Sequence, residues 1–386
     1  MKAKFISVLL LLGCVLMFVE QSLAIPAFAR KYDMSCNVCH SPIPKLKPYG
    51  EDFAGDGFQL PDKEPPRYYR ETGDDRLLLM RELPLALRLE GWVRYQPQTA
   101  KRSDFQSPYL LKILSGGQIA RNVSYYFYFF FSERGEVAGI EDAFIMFNKL
   151  FRTELDVSLG QFQVSDPLFK RELRLTLEDY QIYRTRVGYS RINLTYDRGL
   201  MLAYTLPTKT DVVLEILNGN GIGGADANRN FDSDKYKNGF LRVSQDVGKA
   251  LRLGGFGYYG KEEQLANVNT LWMAGPDLTL SLDQIELNVQ YLERRDDDPF
   301  FVSADTETKT RGAFAELIYS PQGDKSNWYG ALLYNWVDSD QKSLNYQSAT
   351  GHFSYLAARN LRLVGEYTYD FERKANKFSV GFVSAF

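Results

Sequence analysis

Histidine and cysteine are scarce in this sequence. Only 2 His and 3 Cys occur among 386 residues. This excludes a disulfide-rich scaffold and an array of zinc fingers, and it leaves room for one small Cys/His site. An excess of one charge sign is also lacking, because the formal net charge is −2. A strongly basic nucleic-acid-binding surface is therefore excluded, and we expect no nucleic-acid partner.

Residues 1–24 have the pattern of a signal peptide. A basic start is followed by an apolar stretch over residues 5–19 and by the small-x-small cleavage site Ser22-Leu23-Ala24. The apolar stretch is shorter than the roughly 20 residues of a membrane helix. Leu11-Leu12-Gly13-Cys14 also resembles a lipobox, so lipidation of the cysteine is the alternative. Both interpretations predict export from the cytoplasm.

No later stretch is a candidate membrane helix, because no apolar run after residue 24 approaches about 18 residues. Aromatic residues reach 14%, with 25 Tyr, and Gly numbers 30, a balance that favours β structure with many turns. Leu85, Leu87 and Leu89 share one face of a period-two pattern, and Arg88 and Glu90 share the other. Such segments predict strands with one apolar and one wet side, as in a transmembrane β-barrel.

We predict an all-β, porin-like fold: a transmembrane antiparallel β-barrel of sixteen strands over residues 83–386. The predicted strands are 84–96, 107–118, 121–133, 140–149, 153–162, 198–206, 210–218, 240–247, 250–260, 269–279, 283–294, 310–320, 327–338, 347–358, 360–371 and 376–386. An even number is what a closed bacterial barrel requires. Short joins such as 149–152 alternate with long joins such as 163–197 and 219–239, which is typical of periplasmic turns and extracellular loops.

The last predicted strand carries a further barrel signal. Phe378, Val380, Phe382 and the terminal Phe386 alternate along it, similar to the C-terminal strand by which outer-membrane proteins are recognised for insertion. The edge strand of a soluble sandwich is the alternative. A sandwich would place charged residues in its core or leave a large aromatic face in water, and both are costly. We therefore predict a bacterial outer-membrane location, with lipid around the barrel.

The chemistry lies before the barrel, in residues 25–82. Cys36-x-x-Cys39-His40 is the attachment motif of c-type haem, in which two thiols bind the haem vinyl groups and the adjacent imidazole is an axial iron ligand. A CxxC redox pair is the alternative, but no βαβ pattern surrounds the motif. A zinc site would need four ligands, and a second Cys/His pair is lacking. The segment is too short to form its own core, so the barrel must help to pack one covalent haem c.

The chain resembles the fused monohaem cytochrome-porins of the bacterial outer membrane, whose characterised members oxidise ferrous iron outside the cell. The resemblance is specific over residues 26–60, and over the barrel it is one of architecture. Its motifs are Pro26-Ala27-Phe28-Ala29-Arg30, Cys36 to His40, Pro44-Lys45-Leu46, Pro48-Tyr49-Gly50, Phe53 and Gly57-Phe58, with fragments Gly160-Gln161-Phe162 and Asn218-Gly219-Asn220-Gly221 in the barrel.

The resemblance implies a haem in or against the periplasmic mouth of a sixteen-stranded porin. Electrons would then pass across the membrane between extracellular iron, or another redox partner, and a periplasmic electron carrier such as a soluble cytochrome. The direction of electron flow stays open, and so does an Fe(II) oxidase activity.

Three residues are candidates for the sixth iron ligand. Met80 lies just before the first predicted strand, and a thioether ligand would raise the reduction potential. His352 begins the fourteenth predicted strand on the side of Ser354, where it would face the lumen towards the extracellular end. Met34 is nearer in sequence, but two residues from Cys36 it has little freedom to reach the opposite haem face. An open or differently ligated site is the remaining alternative.

Two predicted extracellular loops are acidic and could attract a metal ion. Their carboxylates are Asp226, Asp232 and Asp234 in one loop, and Asp296, Asp297, Asp298, Asp305 and Glu307 in the other. A solvated acidic surface is the simpler interpretation. The long join 163–197 alternates charged and apolar residues, and we expect it to fold into the lumen and constrict the pore beside the haem.

Three functions fit this sequence. The one we favour is an outer-membrane electron conduit that works through one covalently bound haem c, with ferrous iron as the best-matched extracellular partner. The alternative is a passive diffusion porin with a structural or sensory haem. The third is a periplasmic haem-binding β protein that never enters a membrane.

Overall fold

The strands close into one barrel. The computed structural model describes residues 27–60, 63, 74, 83–100, 102–264, 266–302 and 306–386. Within them, sixteen antiparallel strands pair with their sequence neighbours, and the first strand pairs with the last. The predicted fold is confirmed. In the same residues, no helix is long and apolar enough to cross a membrane. The signal-peptide and lipobox predictions lie outside the described residues.

All sixteen predicted strands are found. They are β1 Leu85–Tyr95, β2 Ser103–Ala120, β3 Val123–Glu133, β4 Gly139–Leu150, β5 Leu155–Gln163, β6 Tyr196–Thr205, β7 Thr210–Leu217, β8 Asn238–Val247, β9 Leu251–Gln264, β10 Asn267–Ser281, β11 Ile285–Asp296, β12 Thr308–Tyr319, β13 Trp328–Ser339, β14 Tyr346–Ala358, β15 Leu361–Asp370 and β16 Ala375–Ala385. The predicted bounds are close, apart from the start of β2 and the end of β9.

The two wrong boundaries have separate physical causes. β2 begins at Ser103, before the predicted start at residue 107, and these added residues pair with β1 through a register shift near Trp92. β9 continues through a charged stretch that the sequence assigns to a loop. Glu262 in that stretch is fully buried, because it accepts hydrogen bonds from Ser190 and Arg191 inside the barrel.

Backbone hydrogen bonds close the barrel at its C-terminus. The Leu87 N–H donates to the Phe386 carbonyl at 2.6 Å, and the Phe386 N–H donates to the Leu87 carbonyl at 2.9 Å. Along the same seam, Trp92 lies opposite Gly381. A Cβ atom at position 381 would lie 2.6 Å from the Trp92 ring, so a glycine is required for the indole to cross the seam.

Side chains alternate between the outside and the lumen. On β14, Phe353 and Tyr355 are 50% and 48% exposed on the outside, whereas Ser354 between them is fully buried. Leu159 on β5 and Leu332 on β13 are similarly exposed. An outer wall of exposed apolar and aromatic side chains is stable in lipid and costly in water. The barrel is therefore a membrane-spanning structure, and the function that keeps the chain in the periplasm is excluded.

The two ends of the barrel differ in their connections. Tight turns such as 121–122 and 359–360 join strands at one end. The other end carries long loops, including 164–195, 218–237 and 297–307. This confirms the predicted alternation, and it identifies the tight-turn end as the periplasmic end.

Residues 27–60, here called the N-terminal segment, contain helices α1 Ala27–Tyr32 and α2 Pro48–Gly55. Pro48 begins α2, where its fixed φ and missing N–H are tolerated. The two helices pack through Tyr32 and Phe53, whose rings meet edge to face at 5.6 Å.

The N-terminal segment is docked at the periplasmic end of the barrel. Lys45 forms an ion pair with Glu286 at the start of β11. On the opposite side, Asn148 near the end of β4 donates to the Gly55 carbonyl at 2.8 Å. These contacts reach widely separated strands, so the segment lies across the mouth of the barrel.

Residues 164–195, here called the lumen loop, fold back into the barrel as predicted. They include a short helix, α3 Gln181–Arg184. Tyr183 and Val187 are fully buried. Tyr180 stacks on Phe314 of β12 with ring centroids 4.1 Å apart. The lumen loop therefore packs against the inner wall and not over the outer surface.

Candidate functional site

One tight turn brings Cys36, Cys39 and His40 together. Cys36–Val38 form a single 3₁₀ turn. The His40 N–H then donates to the Cys36 carbonyl at 2.9 Å. Cys36 and Cys39 are not joined in a disulfide, and burial raises the pKa of each thiol. The motif residues predicted from the sequence thus form a compact local unit at the mouth of the barrel.

The imidazole of His40 is held in one tautomer. Its Nδ1 lies 2.6 Å from the Pro44 carbonyl oxygen. Because a carbonyl can only accept, Nδ1 must carry a proton, and in the neutral ring Nε2 is then the unprotonated nitrogen. Burial lowers the pKa of His40, which favours the neutral ring. A neutral imidazole with an oriented Nδ1–H is the usual form of a histidine that binds a metal through Nε2.

The residues around the turn are of the chemical types that a haem site uses. Cys39 packs in one apolar cluster with Tyr32 and Phe53, against which Phe28 and Phe58 also pack. The Phe28 and Phe58 rings stack with centroids 4.9 Å apart. With two thiols and a neutral imidazole at its edge, this cluster offers the donor set and the apolar surface that a c-type haem requires.

A glycine allows α2 to approach the motif. A Cβ atom at Gly50 would lie 2.3 Å from the Cys39 carbonyl oxygen and 2.9 Å from Leu46. Any side chain at this position would push α2 away from the turn. The glycine of the Pro48-Tyr49-Gly50 motif is therefore explained by close packing on the cysteine turn.

The predicted place of His352 is wrong. It lies at the centre of the 13-residue strand β14, not at its start towards the extracellular end. The prediction that it faces the lumen is confirmed, and both ring nitrogens are engaged. Nδ1 lies 3.0 Å from Glu366 and Nε2 lies 2.9 Å from Ser354. Neither nitrogen is free for an iron ion in this arrangement.

Met80 and Met34 are the other two candidates for the sixth iron ligand. Met80 lies outside the described residues, so its role stays a prediction. Met34 packs against the same apolar cluster as Cys39. Its backbone N–H donates to the Ala29 carbonyl at 3.1 Å, which anchors it on the α1 side of the turn.

Carboxylates in both acidic loops hold backbone of the same loop, whereas Asp296, which the sequence assigns to a loop, is the last residue of β11. Asp226 accepts from the N–H groups of Asn228 and Asn230, both at 2.8 Å. Asp298 accepts from the Val302 N–H at 3.2 Å. Within the described residues, no group of three or more His, Cys, Asp or Glu side chains is arranged to hold a metal ion. Asp305 lies outside those residues.

Sequence reasoning missed the charged contacts between the lumen loop and the wall. Lys112 on β2 pairs with Glu172 of the lumen loop at 2.8 Å, and Arg88 on β1 donates to the Glu172 backbone carbonyl at 3.4 Å. A cavity of about 40 Å³ lies among Arg88, Glu90, Glu172 and Arg174, which is room for very few water molecules. The alternation places Arg88, Glu90 and Lys112 on the lumen side, but it cannot show which loop charge each one meets.

The barrel is similar to solved bacterial porins. An anion-selective porin from Comamonas acidovorans matches with a TM-score of 0.58 and 13% identity, over 79% of this chain and 99% of that one. The outer membrane channel DcaP of Acinetobacter baumannii matches with a TM-score of 0.57 and 14% identity, over 79% of this chain and 97% of that one. Salmonella typhi OmpF, in complex with daunomycin, matches with a TM-score of 0.57 and 11% identity over the same shares.

The barrel has the fold of an outer-membrane porin. At these identities the likeness shows the fold alone. No family model and no curated protein matches the sequence. The closed sixteen-strand wall, its lipid-facing side chains and this likeness together place the chain in the bacterial outer membrane.

Proposed function

We propose that this protein is an outer-membrane electron conduit between an extracellular redox partner, with ferrous iron as the best match, and a periplasmic electron carrier. Cys36 and Cys39 would hold one covalent haem c, and His40 would be an axial ligand. The haem supplies one-electron redox chemistry. The observation that supports this proposal is the His40 ring, oriented by the Pro44 carbonyl within a CxxCH turn at the periplasmic mouth.

The residues of the chain have separate tasks in this proposal. The aromatic cluster around Cys39 excludes water from the turn. Val38 and Tyr49 are 36% and 44% exposed beside it, and they offer a periplasmic carrier an apolar contact. Met80 stays the candidate sixth ligand, because both ring nitrogens of His352 are engaged by other side chains.

Passive diffusion is the second candidate function. The likeness to porins supports it more directly than it supports electron transfer. The buried lumen loop limits such a route, because Tyr183 and Val187 are fully covered inside the barrel. A diffusion porin with this interior would pass only small solutes.

Two measurements on the full-length protein separate these functions. Denatured protein should keep a haem-dependent peroxidase stain, and Cys36→Ser should lose the thioether at that position. In intact cells, membrane-impermeant Fe(II) should reduce the haem. Protein that carries no covalent haem would favour the diffusion porin. The same conclusion would follow if Fe(II) does not reduce the haem while liposomes that contain the protein swell in solutions of small solutes.

A further inference from the structure

Two side chains of the barrel wall form hydrogen bonds with one carbonyl group of the N-terminal segment. The Tyr329 hydroxyl on β13 donates to the Ile43 carbonyl oxygen at 2.5 Å. The Arg362 guanidinium on β15 donates to the same oxygen at 3.0 Å, and to the Tyr329 hydroxyl oxygen at 2.5 Å. Two side chains from different strands therefore meet at a single backbone acceptor.

These two side chains are themselves fixed. Tyr329 is fully buried and Arg362 is 4% exposed. The Tyr329 ring stacks on His352 with centroids 6.1 Å apart, and His352 is held in turn by Glu366. Buried side chains with all these contacts have little freedom, so the position of the Ile43 carbonyl is set by the wall.

The Ile43 carbonyl group is adjacent in sequence to the Pro44 carbonyl group, which orients His40. Ile43 precedes Pro44, whose carbonyl accepts the His40 Nδ1–H at 2.6 Å. The peptide group is planar and proline fixes φ, so the ψ angle of Pro44 is the one soft torsion left between the two carbonyl groups. On the other side of the turn, Lys45 is tied to Glu286. The Pro44 acceptor is thus held between two contacts with the wall.

We propose that Tyr329 and Arg362 are positioning residues for the axial histidine, acting through the Ile43-Pro44 backbone. This inference rests on the proposed haem function. Tyr329 and Arg362 connect the barrel to the turn that holds His40. The barrel wall, and not the N-terminal segment alone, therefore determines the geometry of the hydrogen bond to His40 Nδ1. Arg362 also places a positive charge beside the turn. A positive charge near an iron centre disfavours the more oxidised state.

The two residues predict shifts of opposite sign. Tyr329→Phe keeps the ring that stacks on His352 and removes the donor. The Nδ1 hydrogen bond then weakens, the imidazole becomes a weaker electron donor, and the haem midpoint potential rises. Arg362→Gln removes the positive charge, so the midpoint potential falls.

The test uses full-length, haem-loaded protein in detergent. Tyr258→Phe is the matched control, because Tyr258 is also a buried lumen tyrosine, with its hydroxyl bound to Asn238 at 3.0 Å. Heat-modifiable migration on gels first confirms that each variant has assembled. Potentiometric titration gives the midpoint potential. Electron paramagnetic resonance of the ferric protein reports the orientation of the axial imidazole, which should change in Tyr329→Phe and stay unchanged in the control.

The outcomes are distinguishable. Potentials that match the control in both variants, or shifts with the reverse signs, would overturn the positioning role while leaving the proposed function in place. A wild-type protein without covalent haem would overturn both. If Tyr329→Phe does not assemble, electron paramagnetic resonance of Arg362→Gln decides, because a positioning role requires a changed orientation of the axial imidazole, whereas loss of the charge alone changes only the potential.

Discussion

Arg171 and Asp179 form a two-point ion pair inside the barrel. Arg171 Nε lies 3.1 Å from Asp179 Oδ1, and Arg171 Nη2 lies 2.5 Å from Asp179 Oδ2. Arg174 and Arg184 lie 3.9 and 3.7 Å from the same carboxylate. One aspartate therefore partners three arginines of the lumen loop, and it stabilises the compact turn that α3 follows.

Removing this carboxylate should loosen the lumen loop. Asp179→Asn leaves the buried Arg171 without its charge partner, and breaking a buried pair from one side costs about 3–5 kcal/mol. We expect trypsin to cleave within the lumen loop of Asp179→Asn, in detergent, much faster than in wild type. Glu372→Gln is the control, since Glu372 is an exposed carboxylate in the hairpin between β15 and β16. Equal cleavage of both variants would contradict this role.

Acid should loosen the same loop. Burial alone would raise the pKa of Asp179, but Arg174 and Arg171 hold it well below its ordinary value. Lys112 and Arg174 similarly lower the pKa of Glu172 to about 2 despite burial. A carboxylate with a depressed pKa stabilises the fold fully above its unfolded pKa of about 4, and this contribution is lost as pH falls through the folded value.

The measurement is single-channel conductance in planar bilayers as the pH is lowered from about 7. We expect conductance to be constant down to about pH 4 and to rise between about pH 4 and about pH 2. Asp179→Asn should already be open at neutral pH and show a smaller acid response. A wild-type conductance that falls throughout this range would show that these ion pairs do not hold the loop in place.

The barrel could be predicted because its signal is local. A period of two in each strand and the contrast between tight turns and long loops are both readable in sequence order. The position of His352 could not be predicted, because its partners Glu366 and Tyr329 come from neighbouring strands whose register is set by the closed sheet. The hydrogen bond from Tyr329 to Ile43 joins residues nearly 300 positions apart in the sequence, and no local sequence pattern predicts such a contact.

Gly50 offers a sharp test of the cysteine turn. Gly50→Ala puts a methyl group 2.3 Å from the Cys39 carbonyl oxygen, and overpacking of this kind costs about 1–3 kcal/mol. We expect less of the proposed covalent haem per protein and a lower unfolding temperature of the N-terminal segment. Gly55→Ala in the same helix is the matched control, because nothing lies within 4 Å of a Cβ there. Equal haem content in both variants would contradict the packing argument.

Closure of the seam should depend on the last residue. The Phe386 backbone makes two hydrogen bonds with Leu87, at 2.6 and 2.9 Å. Deleting Phe386 removes both bonds and exposes the edge of β1, which lipid cannot satisfy. We expect less protein in the outer membrane and less of the heat-modifiable form on gels. Deleting Lys374 from the preceding hairpin should have a smaller effect; a larger one would locate the assembly signal elsewhere.

Deletion of part of the lumen loop tests what fills the pore. Residues 169–183 include Tyr180, which stacks on Phe314, and the fully buried Tyr183. Without them the inner wall is exposed to water, so ion conductance in planar bilayers should rise several-fold. The midpoint potential of the proposed haem should shift because water reaches closer to the turn of Cys36, Cys39 and His40. Deleting residues 224–230, which are exposed in the loop between β7 and β8, should change neither. A 169–183 deletion that leaves both properties unchanged would show that the lumen is closed by another part of the chain.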